Sequence, residues 1–163
     1  MAKPPDEFTL IARYFRPLTA GNPGALDLGD DAAFLDVPEG QRVVVTADAL
    51  VAGVHFFPGD APDLIARKML RVNLSDLAAM AAVPLGYVMT CAFPPTITET
   101  WLAGFSKGLA RDQMEYGIRL LGGDTISTPG PLTLSVTAFG AVEPGKELRR
   151  SGAKAGDLIA VIS

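Results

Sequence analysis

The stretch VVVTADALVAGVHF, residues 43–56, decides how this chain is read. Its run of Val43, Val44, Val45 and Thr46 reads as a buried strand, because branched side chains pack well on a pleated sheet. That strand delivers Asp48 and then His55, the one histidine of the chain, at its far end. The pairing of an acid with an apolar segment recurs. Gly29-Asp30-Asp31 adjoins Ala32-Ala33-Phe34-Leu35, Gly122-Gly123-Asp124-Thr125 follows Ile118-Arg119-Leu120-Leu121, and Asp76 lies inside Val72-Asn73-Leu74-Ser75-Asp76-Leu77.

Toward the N-terminus, Asp6 is an N-cap for a short helix with Phe8, Ile11, Ala12 and Phe15 at helical spacing. Residues 17–28 read as a loop, residues 32–37 as a strand, and Pro38-Glu39-Gly40-Gln41 as the turn that pairs it with the strand beginning at Val43 in a hairpin. Toward the C-terminus, Phe57-Pro58-Gly59-Asp60 breaks the strand and Pro62 opens a long helix, whose stripe of Leu70, Leu74, Leu77 and Ala81 faces a core. Asn73 and Asp76 share the edge of that stripe and can face a site. Pro84 ends the helix and a strand follows over 85–93. Thr96-Ile97-Thr98-Glu99 is a capping box for a second long helix, stopped by Gly117 after Tyr116. Short and long strands are expected over 118–121 and 132–142.

This order implies an α+β domain: a mixed, mainly antiparallel sheet with helices packed on one face. The turn-rich segment 148–157 is followed by an apolar run, 158–162, that starts a strand. The expected division is a domain over 1–145 that binds metal and phosphate, and the beginning of a second, truncated domain over 146–163.

Length and composition bound the function. At 163 residues, 48% hydrophobic and 20% charged, the chain can bury a core of its own. Cys91 is the sole cysteine, which excludes an internal disulfide and a zinc site of paired thiolates. The opening MAKPPDEF carries no signal-peptide core, and no apolar run reaches membrane-spanning length. A net charge of -4 with dispersed basic residues speaks against a nucleic-acid surface. A cytoplasmic protein without nucleic-acid or membrane partners is expected.

Aspartates beside apolar segments, with almost no His or Cys, suit a hard cation such as Mg2+ and the phosphates it carries. Each residue also has a plainer explanation. Aspartate next to glycine commonly closes a turn on its own backbone, His55 can be structural, Asn73 and Asp76 can lie on an exposed helix edge, and Gly122-Gly123-Asp124 can be a tight turn. Arg149 and Arg150 suit a phosphate or adenine contact, or simply solvent. Neither a Walker glycine loop nor a dinucleotide-binding fingerprint occurs.

Six ordered motifs narrow the reading: DEFTLIA (6–12), GDDAA (29–33), TADALVAGVHF (46–56), VNLSDLAAM (72–80), LGGDT (121–125) and RSGAK (150–154) with Gly156-Asp157. Together they resemble the thiamine-monophosphate kinase family, part of the superfamily named for aminoimidazole ribonucleotide synthetase. The resemblance implies an N-terminal α+β domain that dimerises through its sheet, and transfer of the ATP γ-phosphoryl group to thiamine monophosphate. It implies Mg2+ as cofactor, ATP as co-substrate and a homodimer. Carried over by motif, Asp31, Asp48, Asp76 and Asp124 are metal carboxylates, joined by Thr46 and Asp30. His55 contacts the substrate, and Gly123, Asp124, Arg150 and Tyr116 contact the nucleotide. The chain departs from the family at Ala47, where a hydroxyl residue is usual, and at Met80-Ala81-Ala82, where Met-Gly-Ala is expected. The family draws further contacts from its second domain, so this chain alone is expected to be inactive. Two other readings remain: another ATP-dependent synthetase of the superfamily, or a dimerisation module without turnover.

Overall fold

The computed structural model describes residues 6–160. Four strands form one sheet: β1 (Arg42–Val51), β2 (Val83–Phe93), β3 (Leu120–Ser127) and β4 (Thr133–Val142). Their order is β1-β4-β2-β3, with β4 antiparallel to both its neighbours and β2 parallel to β3. The sheet is thus mixed and mainly antiparallel, as the residue pattern implies. A short helix α1 (Glu7–Leu10), capped by Asp6, leads into further helical turns. Two long helices, α2 (Pro62–Ala79) and α3 (Glu99–Tyr116), carry the chain from β1 to β2 and from β2 to β3. Thr98 caps α3 by accepting from the Trp101 amide, and Gly117 ends it in the left-handed conformation.

Both long helices pack on one sheet face. Strand residues Leu50, Leu134, Val136, Ala138, Tyr87, Met89 and Cys91 meet Ile65, Met69, Leu70, Leu77, Leu102, Phe105 and Leu109 in a single core. The opposite face is open: Val43 and Val45 of β1 are 44% and 58% exposed. Period-two alternation makes this division, since neighbouring strand residues point to opposite faces. The two helices are also tied by charge. Arg71 donates from Nε and Nη2 to the two carboxylate oxygens of fully buried Asp112, at 2.7 and 2.8 Å, and Arg67 adds a contact at 3.3 Å.

Three expectations are corrected. Residues 32–37 form no strand, and β1 pairs with β4 rather than in a local hairpin. The turn at Gly40 exists, yet the segment before it is tied elsewhere, by the Phe34 amide on the Gly24 carbonyl at 2.8 Å. The alternating β4, far away in sequence, buries Leu134, Val136, Ala138 and Val142 in the core, which residues 32–37 do not match. Next, β3 does not stop at Leu121 but runs on through Gly122, Gly123 and Asp124, so these are strand residues and not a turn. Finally, residues 158–160 form no strand; Leu158 is 97% exposed, and the rest of the expected strand lies outside the described residues.

Candidate functional site

The first cluster sits where β1 passes α2. Alternation along β1 turns Val44, Thr46, Asp48 and Leu50 toward the helices, with Leu50 in the core. The Thr46 hydroxyl donates to Asp76 Oδ2 at 2.7 Å, joining two predicted metal-site residues from separate elements. Asp48 lies inside β1, three residues before its end, rather than beyond the strand. Asn73 does not lie on an exposed edge. It is fully buried, its Nδ2 donates to the Met69 carbonyl at 3.0 Å, and its Oδ1 has no partner among the described residues.

The second cluster is a cleft of about 570 Å³ beside β3. Its apolar wall includes Ile11, Phe15, Leu28, Val88, Leu120 and Phe139, and the acids Glu7, Asp30, Asp31 and Asp124 border it. Residues 32, 33 and 35, which fail to form a strand, line this cleft instead. The chain reaches Asp30 through Leu26, Asp27 and Leu28, three successive residues at φ 49°, 54° and 55°. Left-handed backbone costs roughly 1–2 kcal/mol per non-glycine residue, so packing must hold this turn. Gly123 is needed for a different reason: a Cβ there would collide with the Met89 carbonyl of the neighbouring strand. Glu7 was not singled out from sequence, although its Oε1 accepts from the Thr125 hydroxyl at 3.3 Å. The DEFTLIA motif was the available signal.

His55 occupies the exposed loop after β1. Its ring Nδ1 accepts from the Val51 amide at 3.0 Å, and its carbonyl accepts from the Lys68 ammonium of α2. Lys68 carries no sequence signal beyond its place on a helix. Tyr116 and Arg150 are not among the residues that line the cleft. Tyr116 lies under the Arg71 guanidinium, 5.2 Å from ring centroid to Cζ, and Arg150 is exposed in a short 3-10 turn. Partial burial, then a hydrogen bond with Glu115, pushes the Tyr116 hydroxyl above its ordinary pKa. Burial, followed by the charge of Asp124, likewise pushes the Cys91 thiol up, so it stays protonated and inert.

The two acidic groups do not converge within one chain. In register, Asp48 pairs with Val136, Val136 with Met89, and Met89 with Gly123, whereas Asp124 pairs with Thr90, one residue along. Asp48 therefore faces the helices and Asp124 the open side, three strand spacings or roughly 14 Å away. Among the described residues, no three His, Cys, Asp or Glu gather closely enough to hold a metal ion.

This sheet, with its helices on one face and its aspartates at two edges, defines a class. Residues 29–142 match the family model of the AIR synthase related protein, N-terminal domain, and the chain belongs to that family. Within it, the chain is 51% identical over 160 residues to thiamine-monophosphate kinase of Caulobacter vibrioides, a match covering 98% of this chain and 46% of that protein. Among solved structures it is similar to thiamine-monophosphate kinase from Stenotrophomonas maltophilia K279a, with a TM-score of 0.76 and 43% identity over 89% of this chain and 45% of the other. It is also similar to AaThiL complexed with AMPPCP and TMP, with a TM-score of 0.62 and 26% identity, over 84% of this chain and 42% of that one. The chain spans about half the length of the curated relatives it matches. Among its described residues, no helix is long and apolar enough to cross a membrane.

Proposed function

We propose that this chain is the metal- and nucleotide-binding half of a thiamine-monophosphate kinase, which moves the γ-phosphoryl group of ATP to the phosphate of thiamine monophosphate. The observation that carries this reading is the 51% identity to such a kinase over 98% of the chain. The acceptor is already an anionic phosphate, so the chain need supply no strong base; its task is to position two phosphates and offset their charge.

The proposed cation is Mg2+. Its donors would be Asp48, Asp76 and the Thr46 hydroxyl on the helix side, with Asp30, Asp31 and Asp124 at the cleft. These are hard oxygen donors that suit Mg2+, and Asp76 already accepts a hydrogen bond from Thr46 at 2.7 Å. When bound, the ion neutralises phosphate charge in the transition state. His55 would contact thiamine monophosphate. Gly123, Asp124, Arg150 and Tyr116 would contact ATP, with Gly123 letting it approach the β3 backbone where a side chain does not fit.

The proposed working unit is a cytoplasmic homodimer joined through the open sheet face. It is supported by the exposure of the apolar residues Val43 and Val45 on that face. From residue 146 onward a second domain begins, consistent with nearly full exposure of Leu158 and Ile159. The test is ATP consumption by the longer protein with thiamine monophosphate, in Mg2+ and in chelator. Mg2+-dependent, substrate-dependent turnover is expected; turnover of ATP with an unrelated acceptor would favour another synthetase of the superfamily.

A further inference from the structure

Strand β1 is an edge strand, and its last amides show where His55 gets its orientation. The Ala52 amide donates to the Leu132 carbonyl at 2.9 Å, beside β4. The Val51 amide, one residue earlier, points to the outer edge, where it would be left without a strand partner. The His55 ring takes it, with Nδ1 as acceptor at 3.0 Å. A backbone N–H can only donate, so Nδ1 presents a lone pair and the ring proton of neutral imidazole resides on Nε2. The loop is held from both ends. The His55 amide donates to the Val51 carbonyl at 2.9 Å, and Lys68 of α2 donates its ammonium to the His55 carbonyl.

We propose that the fold locks His55 as the Nε2–H tautomer and presents it as a hydrogen-bond donor to a phosphate oxygen, with Lys68 as the positioning residue that anchors its backbone. This deepens the kinase reading and rests on His55 as the substrate contact. His55 then recognises the acceptor phosphate and is not a general base, because one ring nitrogen is engaged by Val51 and the other already carries its proton. No proton leaves the ring during the reaction.

The test is a long-range nitrogen–proton spectrum of the imidazole in the longer protein, assigned by its loss in His55→Asn. Without any substrate, one nitrogen should resonate as a lone-pair nitrogen at Nδ1 and the other as protonated Nε2. A proton on Nδ1, or an averaged mixture of tautomers, would overturn the proposal. Adding thiamine monophosphate should move the Nε2 signal, and an unmoved signal would overturn the donor role. His55→Asn keeps an acceptor near the Nδ1 position and His55→Gln keeps a donor near Nε2. The Asn variant should therefore preserve exchange protection of the Val51 amide while raising the KM for thiamine monophosphate about tenfold, the loss expected for one hydrogen bond to a charged group. Lys68→Met should raise that KM with kcat little changed, and Lys68→Arg should restore it; an unchanged KM in the Met variant would remove Lys68 from the proposal. A shifted Nε2 signal on adding inorganic phosphate, together with no turnover of thiamine monophosphate, would support the donor and count against the kinase reading.

Discussion

Ala81 shows how a single residue can carry a cost that its neighbours explain. The end of α2 is closed by the Ala81 amide on the Ala78 carbonyl and the Ala82 amide on the Leu77 carbonyl, both at 2.9 Å. This is the Schellman arrangement, in which the residue after the cap is left-handed and usually glycine. Ala81 adopts φ 58° there. The glycine expected at this position thus answers a backbone demand. Ala81→Gly should stabilise the protein by about 0.5–1 kcal/mol, the left-handed penalty less the extra chain entropy of glycine, as read by urea unfolding. At Asp48 the effect should be on chemistry alone. Asp48→Asn is nearly isosteric and half-buried in β1, so an unchanged far-ultraviolet dichroism spectrum is expected with turnover lowered by orders of magnitude. Near-normal turnover would remove Asp48 from the metal set.

At the level of elements, the contact between α2 and α3 depends on Asp112. Its carboxylate is fully buried and holds both Arg71 and Arg67; the hydrogen bond to Asp112 is also the main reason the Arg71 guanidinium is held firmly protonated. Asp112→Ala should cost about 3 kcal/mol in urea unfolding, the low end for a broken buried pair because the Arg71 side chain is 36% exposed and can turn to water. The segment after β4 depends on Glu147, whose carboxylate accepts from Arg42, Arg149 and the Gly145 amide. Hydrogen bonds from its own amide, from Arg149 and from Gly145 depress its pKa below the ordinary 4.5. A depressed folded pKa means that the contact contributes above pH 4.5 and is lost as pH falls through the lower, folded value. Limited proteolysis should therefore cut near residues 145–150 faster in acid than at neutral pH, and Glu147→Gln should abolish that pH dependence.

For the whole molecule, the exposed apolar residues of the open sheet face lead to a test of oligomeric state. Val45→Glu on the open face should shift the sedimentation coefficient to that of a monomer while leaving unfolding of the monomer nearly unchanged, because Val45 has no core contact to lose.

The sequence by itself determined the two long helices, the glycine stop of α3, the presence of strands at 43–46 and 85–93 and the mixed sheet class, since glycine stops and apolar runs act over a few residues. It also carried the family, because six motifs in order exceed what any single spacing can say. Only the tertiary structure decided which strand pairs with β1, that β1 is a half-exposed edge strand rather than a buried one, that residues 32, 33 and 35 line a cleft instead of a sheet, that Asn73 is buried, and that Asp48 and Asp124 face apart. These are matters of register and long-range pairing: a strand's partner and the face its side chains present depend on residues some 90 positions away, and no local pattern records that distance.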